Sequence, residues 1–108
     1  MTPEQKVARL KRLVSAARSF VAGQQGITTG VNHILACLYN LGDEWVEKYP
    51  VFSDFRQAIP AELPIGSERL LWNLERIIEL DPILAKIEQE YRAKLMNECC
   101  GLIGKYSE

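Results

Sequence analysis

Apolar side chains recur at spacings of three and four residues near the start of the chain, which is the pattern of a helix with one buried face. The positions of this first stripe are Val7, Leu10, Leu13, Val14, Ala17, Phe20 and Val21. Thr2, Pro3 and Gln5 follow the order of an N-cap, a first-turn proline and a capping-box partner, and Gly23 provides a left-handed stop. The pattern therefore predicts a first helix over residues 3–22.

A second apolar stripe with the same period runs from Ile27 to just before Gly42. Because only a few residues separate it from the first helix, the two helices are expected to form an antiparallel hairpin. Small or weakly polar residues share the opposite side of the second helix, namely Gly26, Gly30, His33 and Cys37. This narrow side predicts the close approach of a neighbour.

The middle of the chain is predicted to be broken into short, partly irregular pieces. Asp43 is placed to cap a short turn, Pro50 resets the chain direction, and a helical pattern then continues to Pro60. Residues 61–66 contain a further proline and end in glycine. This composition predicts an ordered loop that crosses the molecule.

Two further helices are predicted after this loop, with a break between them at Asp81-Pro82. Ser67 caps the first of them, whose inward-facing positions are Leu70, Leu71, Leu74, Ile77 and Ile78. The second begins at Ile83 and is the longest helix of the chain, with its apolar stripe at Leu84, Ile87, Tyr91, Leu95, Cys99, Leu102 and Tyr106.

The exposed side of this last helix is indicated by two pairs of opposite charge. Glu88 precedes Arg92 and Glu90 precedes Lys94 by four residues, the spacing of favourable ion pairs on a solvated helix face. No window of the sequence shows the alternation of a strand. We therefore predict an all-α, single-domain bundle of about five helices over residues 1–108, with an antiparallel N-terminal hairpin and a long C-terminal helix.

Composition agrees with a globular protein, since 47% of residues are apolar, 25% are charged and the formal net charge is −1. This balance excludes a disordered chain and a protein that coats nucleic acid or an anionic membrane. The charge is nevertheless uneven, with five basic residues and one acidic residue over 1–33 and eight basic against thirteen acidic residues over 43–108. One explanation is that one face attracts a charged partner. The other, which we favour, is that the basic helix docks beside the acidic ones.

The three cysteines, Cys37, Cys99 and Cys100, are odd in number, and no apolar leader follows Met1. This usage predicts a reduced, cytoplasmic protein. Adjacent helix residues point about 100° apart, so one of Cys99 and Cys100 should face the core and the other the surface. Because the cysteines lack the spacing of a zinc site, we expect neither a metal nor a cofactor.

Catalytic machinery is sparse. His33 and Cys37 lie one helical turn apart, within reach of a base–nucleophile contact, but no third group is identifiable that would orient the histidine. We therefore favour a structural role for both and expect no enzymatic activity. The glycine-rich residues 23–30 precede a helix whose free amides can hold an anion, yet they lack the lysine of a phosphate-binding loop. A helix stop, a turn and a new helix start are favoured here.

Candidate partner-binding residues lie in the irregular middle of the chain, where loops can present side chains to a partner. The acidic candidates are Asp43, Glu44, Glu47, Asp54 and Glu62, accompanied by exposed parts of Trp45, Tyr49 and Phe52. An acidic surface suits fast, salt-sensitive binding to a basic protein.

Arg69 and Trp72 form a second candidate because they share one helix face at a spacing of three. Their residue types are enriched at binding hot spots, and the guanidinium can lie on the indole ring. The alternative is equally weighted: Trp72 completes the core, and Arg69 pairs with Glu62 or Asp54.

The hairpin over residues 17–30, together with residues 63–66, Arg69 and Trp72, looks like a group of small bacterial helical proteins with no established activity. In size and helical build the chain is also similar to some immunity proteins, which block the active site of a bacterial toxin. That similarity implies another protein as partner, a cognate toxin. The residues themselves predict no membrane span, because the uncharged stretch 19–42 is too polar for hydrocarbon, and they do not support nucleic acid, because no aromatic residues are interleaved with the basic ones of the first helix. The chain itself is expected to be a monomer or a homodimer. The alternative is a small helical regulator that binds a ligand or nucleic acid.

Overall fold

The computed structural model describes residues 2–60 and 74–106, and 89% of these residues are helical. The helices are α1 (Pro3–Val21), α2 (Ile27–Leu41), α3 (Asp43–Lys48), α4 (Pro50–Ala58) and α5 (Leu74–Tyr106). Within the described residues there is no strand. The predicted all-α fold is therefore confirmed. Two sets of predictions lie outside what the structure describes. The first is the loop at 61–66, the Ser67 cap and the inward positions Leu70 and Leu71, whose residues are not described, and the second is the inward positions Leu74 and Ile77, whose side chains are not described.

The first helix begins as its sequence predicts. The Thr2 hydroxyl accepts a hydrogen bond from the Gln5 amide, and the Gln5 side chain accepts one from the Thr2 amide, at 3.2 and 3.1 Å. This reciprocal pair satisfies two amides that the first turn of a helix leaves without partners. The helix ends at Val21, and Gly23, two residues later, has a φ of +72°, the left-handed conformation that glycine adopts without strain.

The hairpin of α1 and α2 is antiparallel. Phe20, near the end of α1, packs against Gly30 near the start of α2, and the Arg9 guanidinium donates a hydrogen bond to the Asn40 carbonyl near the end of α2. The ring of Phe20 lies where a Cβ of residue 30 would otherwise be. The missing side chain of Gly30 therefore lets the two helices approach closely, as the narrow side of α2 predicts.

Residues 43–48 and 50–58 are helical rather than irregular, so the prediction that loops present Asp43, Glu44, Glu47 and Asp54 is wrong. Asp43, Glu44 and Glu47 lie on α3, and Asp54 lies on α4. Pro50 does not interrupt a helix because it is the first residue of α4, where a backbone N–H would have no helical partner.

The predicted break at Asp81-Pro82 is also wrong, because α5 is one continuous helix of 33 residues that includes Pro82. Proline removes one helical hydrogen bond, the bond to the carbonyl of Ile78. Ile78 is 61% exposed, which corrects its predicted inward position and places this turn of the helix in contact with water. Water can then satisfy the carbonyl that Pro82 leaves without a partner. A helix of this length spans about 50 Å, and the longest dimension of the molecule is 49 Å.

The core lies where α1, α2, α4 and α5 meet. Its largest fully buried side chains are Phe52, Phe55, Leu13, Ile34, Leu38, Leu95 and Leu102. Phe52 has no exposed surface, so the prediction that part of it faces a partner is wrong. Cys99 is buried and Cys100 is exposed, which confirms the division predicted for this pair.

Candidate functional site

Four predicted carboxylates reach solvent on neighbouring helices. Asp43, Glu44 and Glu47 are exposed on α3, and Asp54 is exposed on α4. We call these four residues the acidic surface. Asp43 and Glu44 occupy the first turn of α3, where the positive end of the helix favours negative charge. Their placement on helices fixes the directions in which the carboxylates project.

Trp45 is half-buried next to the acidic surface, and its ring is held from two sides. The ring centroid of Tyr106, at the end of α5, lies 5.4 Å from that of Trp45 at an interplanar angle of 51°. The Lys48 ammonium group lies 5.2 Å from the centroid of the Trp45 ring, within the range of a cation–π contact. Trp45 therefore enters any binding event with its orientation already set.

Tyr49 is not a surface residue, although the sequence places it among the partner-binding candidates. It is 8% exposed, and its hydroxyl lies 2.7 Å from the hydroxyl of Tyr106. Burial and then the hydrogen bond with Tyr106 raise the pKa of Tyr49 above its usual range. At Tyr106, burial opposes a lowering of the pKa, but the hydrogen bonds with Tyr49 and Lys48 and the nearby lysine charges produce a net lowering. The hydrogen bond between these two hydroxyls joins α5 to the α3–α4 junction.

His33 and Cys37 lie in different environments. His33 is exposed, whereas Cys37 is 8% exposed. Burial raises the pKa of the Cys37 thiol, and the charge of Arg12 lowers it only in part. A nucleophilic cysteine needs the opposite shift, because the thiolate is the reactive form. The remaining predicted residues, Glu62, Arg69 and Trp72, lie outside the described part of the chain.

At the start of α2, the free amide of Thr28 is bound by the protein itself. The amide and the hydroxyl of Thr28 both donate to one carboxylate oxygen of Glu88 on α5, at 3.2 and 2.9 Å. The anion that this helix N-terminus can hold is therefore a side chain of the same protein. Glu88 is half-buried at this contact, so the prediction that it marks a fully solvated face is wrong.

A groove between α1 and the end of α5 was not predicted from the sequence. Its volume is about 500 Å³, and it is lined by Val7, Leu10, Lys11, Val14, Ser15, Arg18, Lys105 and Tyr106. We call it the basic groove, since three of these residues are cationic and none of the described lining residues is acidic. The sequence does contain a signal for it. Val7, Lys11, Val14 and Arg18 alternate apolar and basic types along one line of α1.

No protein-family model, curated protein or solved structure matches this chain. Among the described residues, no group of three or more histidine, cysteine, aspartate or glutamate side chains is placed to hold a metal ion. Likewise, no helix in residues 2–60 and 74–106 combines the length and the apolar character needed to cross a bilayer. The acidic surface and the basic groove are the candidate sites described above.

Proposed function

We propose that this chain is a non-enzymatic protein-binding module, and specifically a bacterial immunity protein that neutralises a cognate toxin by direct binding. The observation that carries the proposal is the acidic surface beside Trp45. Four carboxylates project from two helices, and an aromatic ring between α3 and α5 is held by Tyr106 and Lys48. The similarity in size and helical build to immunity proteins supports the same function.

The physical basis is a combination of steering and preorganisation. Exposed carboxylates raise the rate at which a basic partner is encountered, and this effect weakens as salt screens the charges. Side chains that are already ordered lose little conformational entropy when they are buried at an interface. Trp45 is ordered by its contacts with Tyr106 and Lys48 and retains exposed area for a partner. A toxin with a basic active-site surface, such as a nuclease, is the kind of partner that this chemistry fits.

The test uses the reading frame adjacent to the gene of this chain. We expect its product to arrest growth when it is expressed alone and to be neutralised when the wild-type chain is co-expressed. The double variant Asp43→Lys/Glu47→Lys should fail to protect, because it reverses two exposed charges of the acidic surface. The matched variant Glu4→Lys/Glu90→Lys, which reverses two exposed charges elsewhere, should protect as the wild type does.

Binding of the two purified proteins supplies the quantitative measurement. At low salt, the association rate of the acidic-surface variant should fall at least tenfold relative to the matched variant. The rates of the two variants should converge as the salt concentration rises. Equal protection and equal association rates for both double variants would refute the acidic surface as the binding site. An adjacent product without toxicity would refute the proposed immunity function.

A further inference from the structure

The basic groove combines apolar and cationic side chains in its lining. Its apolar part comes from α1, where Val7 is 51% exposed and Leu10 is half-buried. Its charged part comes from two helices, with Lys11 on α1 and Lys105 on α5, and Arg18 lines it further along α1. The exposed Val7 side chain and the two lysine side chains are what an amphipathic ligand would cover.

The dimensions of the groove fit a small molecule. Ligand sites commonly have volumes of about 300–1,000 Å³, and the basic groove has about 500 Å³. Its residues on α1 extend from Val7 to Arg18, a rise of about 16 Å at 1.5 Å per residue. The site is therefore elongated, with apolar and cationic side chains at successive turns. Such a shape favours a ligand with a chain and a charged head over a compact ion.

Tyr106 lines the groove, and contacts with two other aromatic residues fix its position. Its ring packs against Trp45, and its hydroxyl is hydrogen-bonded to Tyr49. The ammonium group of Lys105 lies 5.5 Å from the centroid of the Tyr106 ring. Burial alone would raise the pKa of Tyr106, but the hydrogen bonds with Tyr49 and Lys48 and the charges of Lys48 and Lys105 lower it.

We propose that the basic groove binds a small amphipathic anion, namely a carboxylate or phosphate monoester attached to an aliphatic chain. The acid group contacts Lys11 and Lys105, and the chain covers Val7 and Leu10. An extended nucleic acid fits less well, because Trp45 and Tyr106 pack against each other and are half-buried rather than presented for base stacking. The groove adjoins Trp45 through Tyr106 but shares no lining residue with the acidic surface, so amphiphile binding can be tested independently of the proposed immunity function.

Calorimetric titration of the full chain with dodecanoate and dodecyl phosphate, below their micelle concentrations, tests the proposal. We expect saturable binding of one molecule per chain by at least one of them. Dodecyltrimethylammonium and dodecyl maltoside, which carry the same chain on a cationic or neutral head, should bind at least tenfold more weakly. Inorganic phosphate and acetate should also bind at least tenfold more weakly, because they lack the chain.

Paired variants separate the two contributions to binding. Lys11→Gln/Lys105→Gln should weaken binding about tenfold, whereas Lys6→Gln/Lys86→Gln, two exposed lysines outside the groove, should leave it unchanged. For the apolar part, Val7→Asn should weaken binding severalfold. Val21→Asn, which replaces another exposed valine of α1 outside the groove, serves as its control. Circular dichroism and thermal unfolding verify that each variant is folded before its affinity is compared.

Sedimentation with vesicles distinguishes a free amphiphile from a lipid surface. We expect vesicles that contain an anionic phospholipid to retain little of the protein and dodecyl phosphate to bind in their absence. The proposal is overturned if neither anionic amphiphile binds saturably, if cationic or neutral amphiphiles bind equally well, or if binding occurs only on vesicles. It is also overturned if both lysine double variants lose the same affinity.

Discussion

The contact between Gly30 and Phe20 predicts that one type of substitution has opposite effects at two places in the protein. A Cβ added at Gly30 would lie 2.6 Å from Cδ2 and 3.3 Å from Cε2 of the Phe20 ring. A Cβ added at Gly101, in the interior of α5, would have no such neighbour within 4 Å. Gly30→Ala and Gly101→Ala therefore share the same change in helix propensity and differ in packing.

The expected magnitudes follow from these two terms. In a helix interior, alanine is favoured over glycine by about 0.5–1 kcal/mol, and Gly101→Ala should gain this amount in the free energy of unfolding. At Gly30 the same gain is opposed by overpacking, which typically costs about 1–3 kcal/mol. Phe20 is only 3% exposed, so its ring cannot swing into solvent to relieve the contact. Gly30→Ala should lower the free energy of unfolding by about 0.5–2 kcal/mol.

Urea unfolding followed by circular dichroism measures both variants on the same scale. We expect the midpoint of Gly30→Ala to fall and that of Gly101→Ala to rise, with unchanged dependence on urea concentration. In a double-mutant cycle, Phe20→Leu should reduce the cost of Gly30→Ala by removing part of the ring. A Gly30→Ala variant as stable as Gly101→Ala would refute the close approach of α1 and α2 at this position.

Further predictions test other parts of the structure. Glu88→Gln should lower the free energy of unfolding by about 1 kcal/mol, because it removes the charge that binds the start of α2. As a control, Glu90→Gln, at an exposed position, should change the free energy of unfolding by less than about 0.5 kcal/mol. Pro82→Ala should raise the free energy of unfolding by about 1–3 kcal/mol, and a value near zero in the same urea assay would contradict a continuous α5. Burial raises the pKa of Cys99 to about 12, so iodoacetamide at pH 8 should label Cys100 rapidly and Cys99 only after unfolding, as mass spectrometry would show. The native state should also lose stability as the pH rises from about 9 toward 12, since the buried thiol stays protonated where an unfolded one ionises.

Local signals account for the parts of the fold that the sequence predicts well. The capping box at Thr2 and the glycine stop at Gly23 act within a few residues, so the bounds of α1 follow from neighbours in the sequence. Continuity through Pro82 does not follow in this way. A proline disfavours the interior of any helix, and its tolerance here depends on the exposure of Ile78, which is a property of the packed molecule.

The candidate sites also contain some features that follow from the local sequence and others that depend on distant residues. The carboxylates of α3 could be predicted as exposed because a short charged segment has little apolar surface to bury. Burial of Tyr49 could not be predicted, since it depends on Tyr106 arriving from the far end of the sequence. The basic groove could not be predicted either, because it needs Lys105 of α5 to lie beside α1. The sequence alone shows only that Val7 and Lys11 share one line of α1.

The two ends of α2 have a consequence for how the protein unfolds. Residues 19–42 contain no side chain that is charged at neutral pH, so α2 cannot compensate its own dipole. Its positive end is instead bound by Glu88 of α5, and its negative end is bound by Arg9 of α1. Detaching either neighbouring helix would leave one end of α2 uncompensated as well as exposing its apolar stripe. The three helices should therefore exchange their amide hydrogens as one cooperative unit rather than open one at a time.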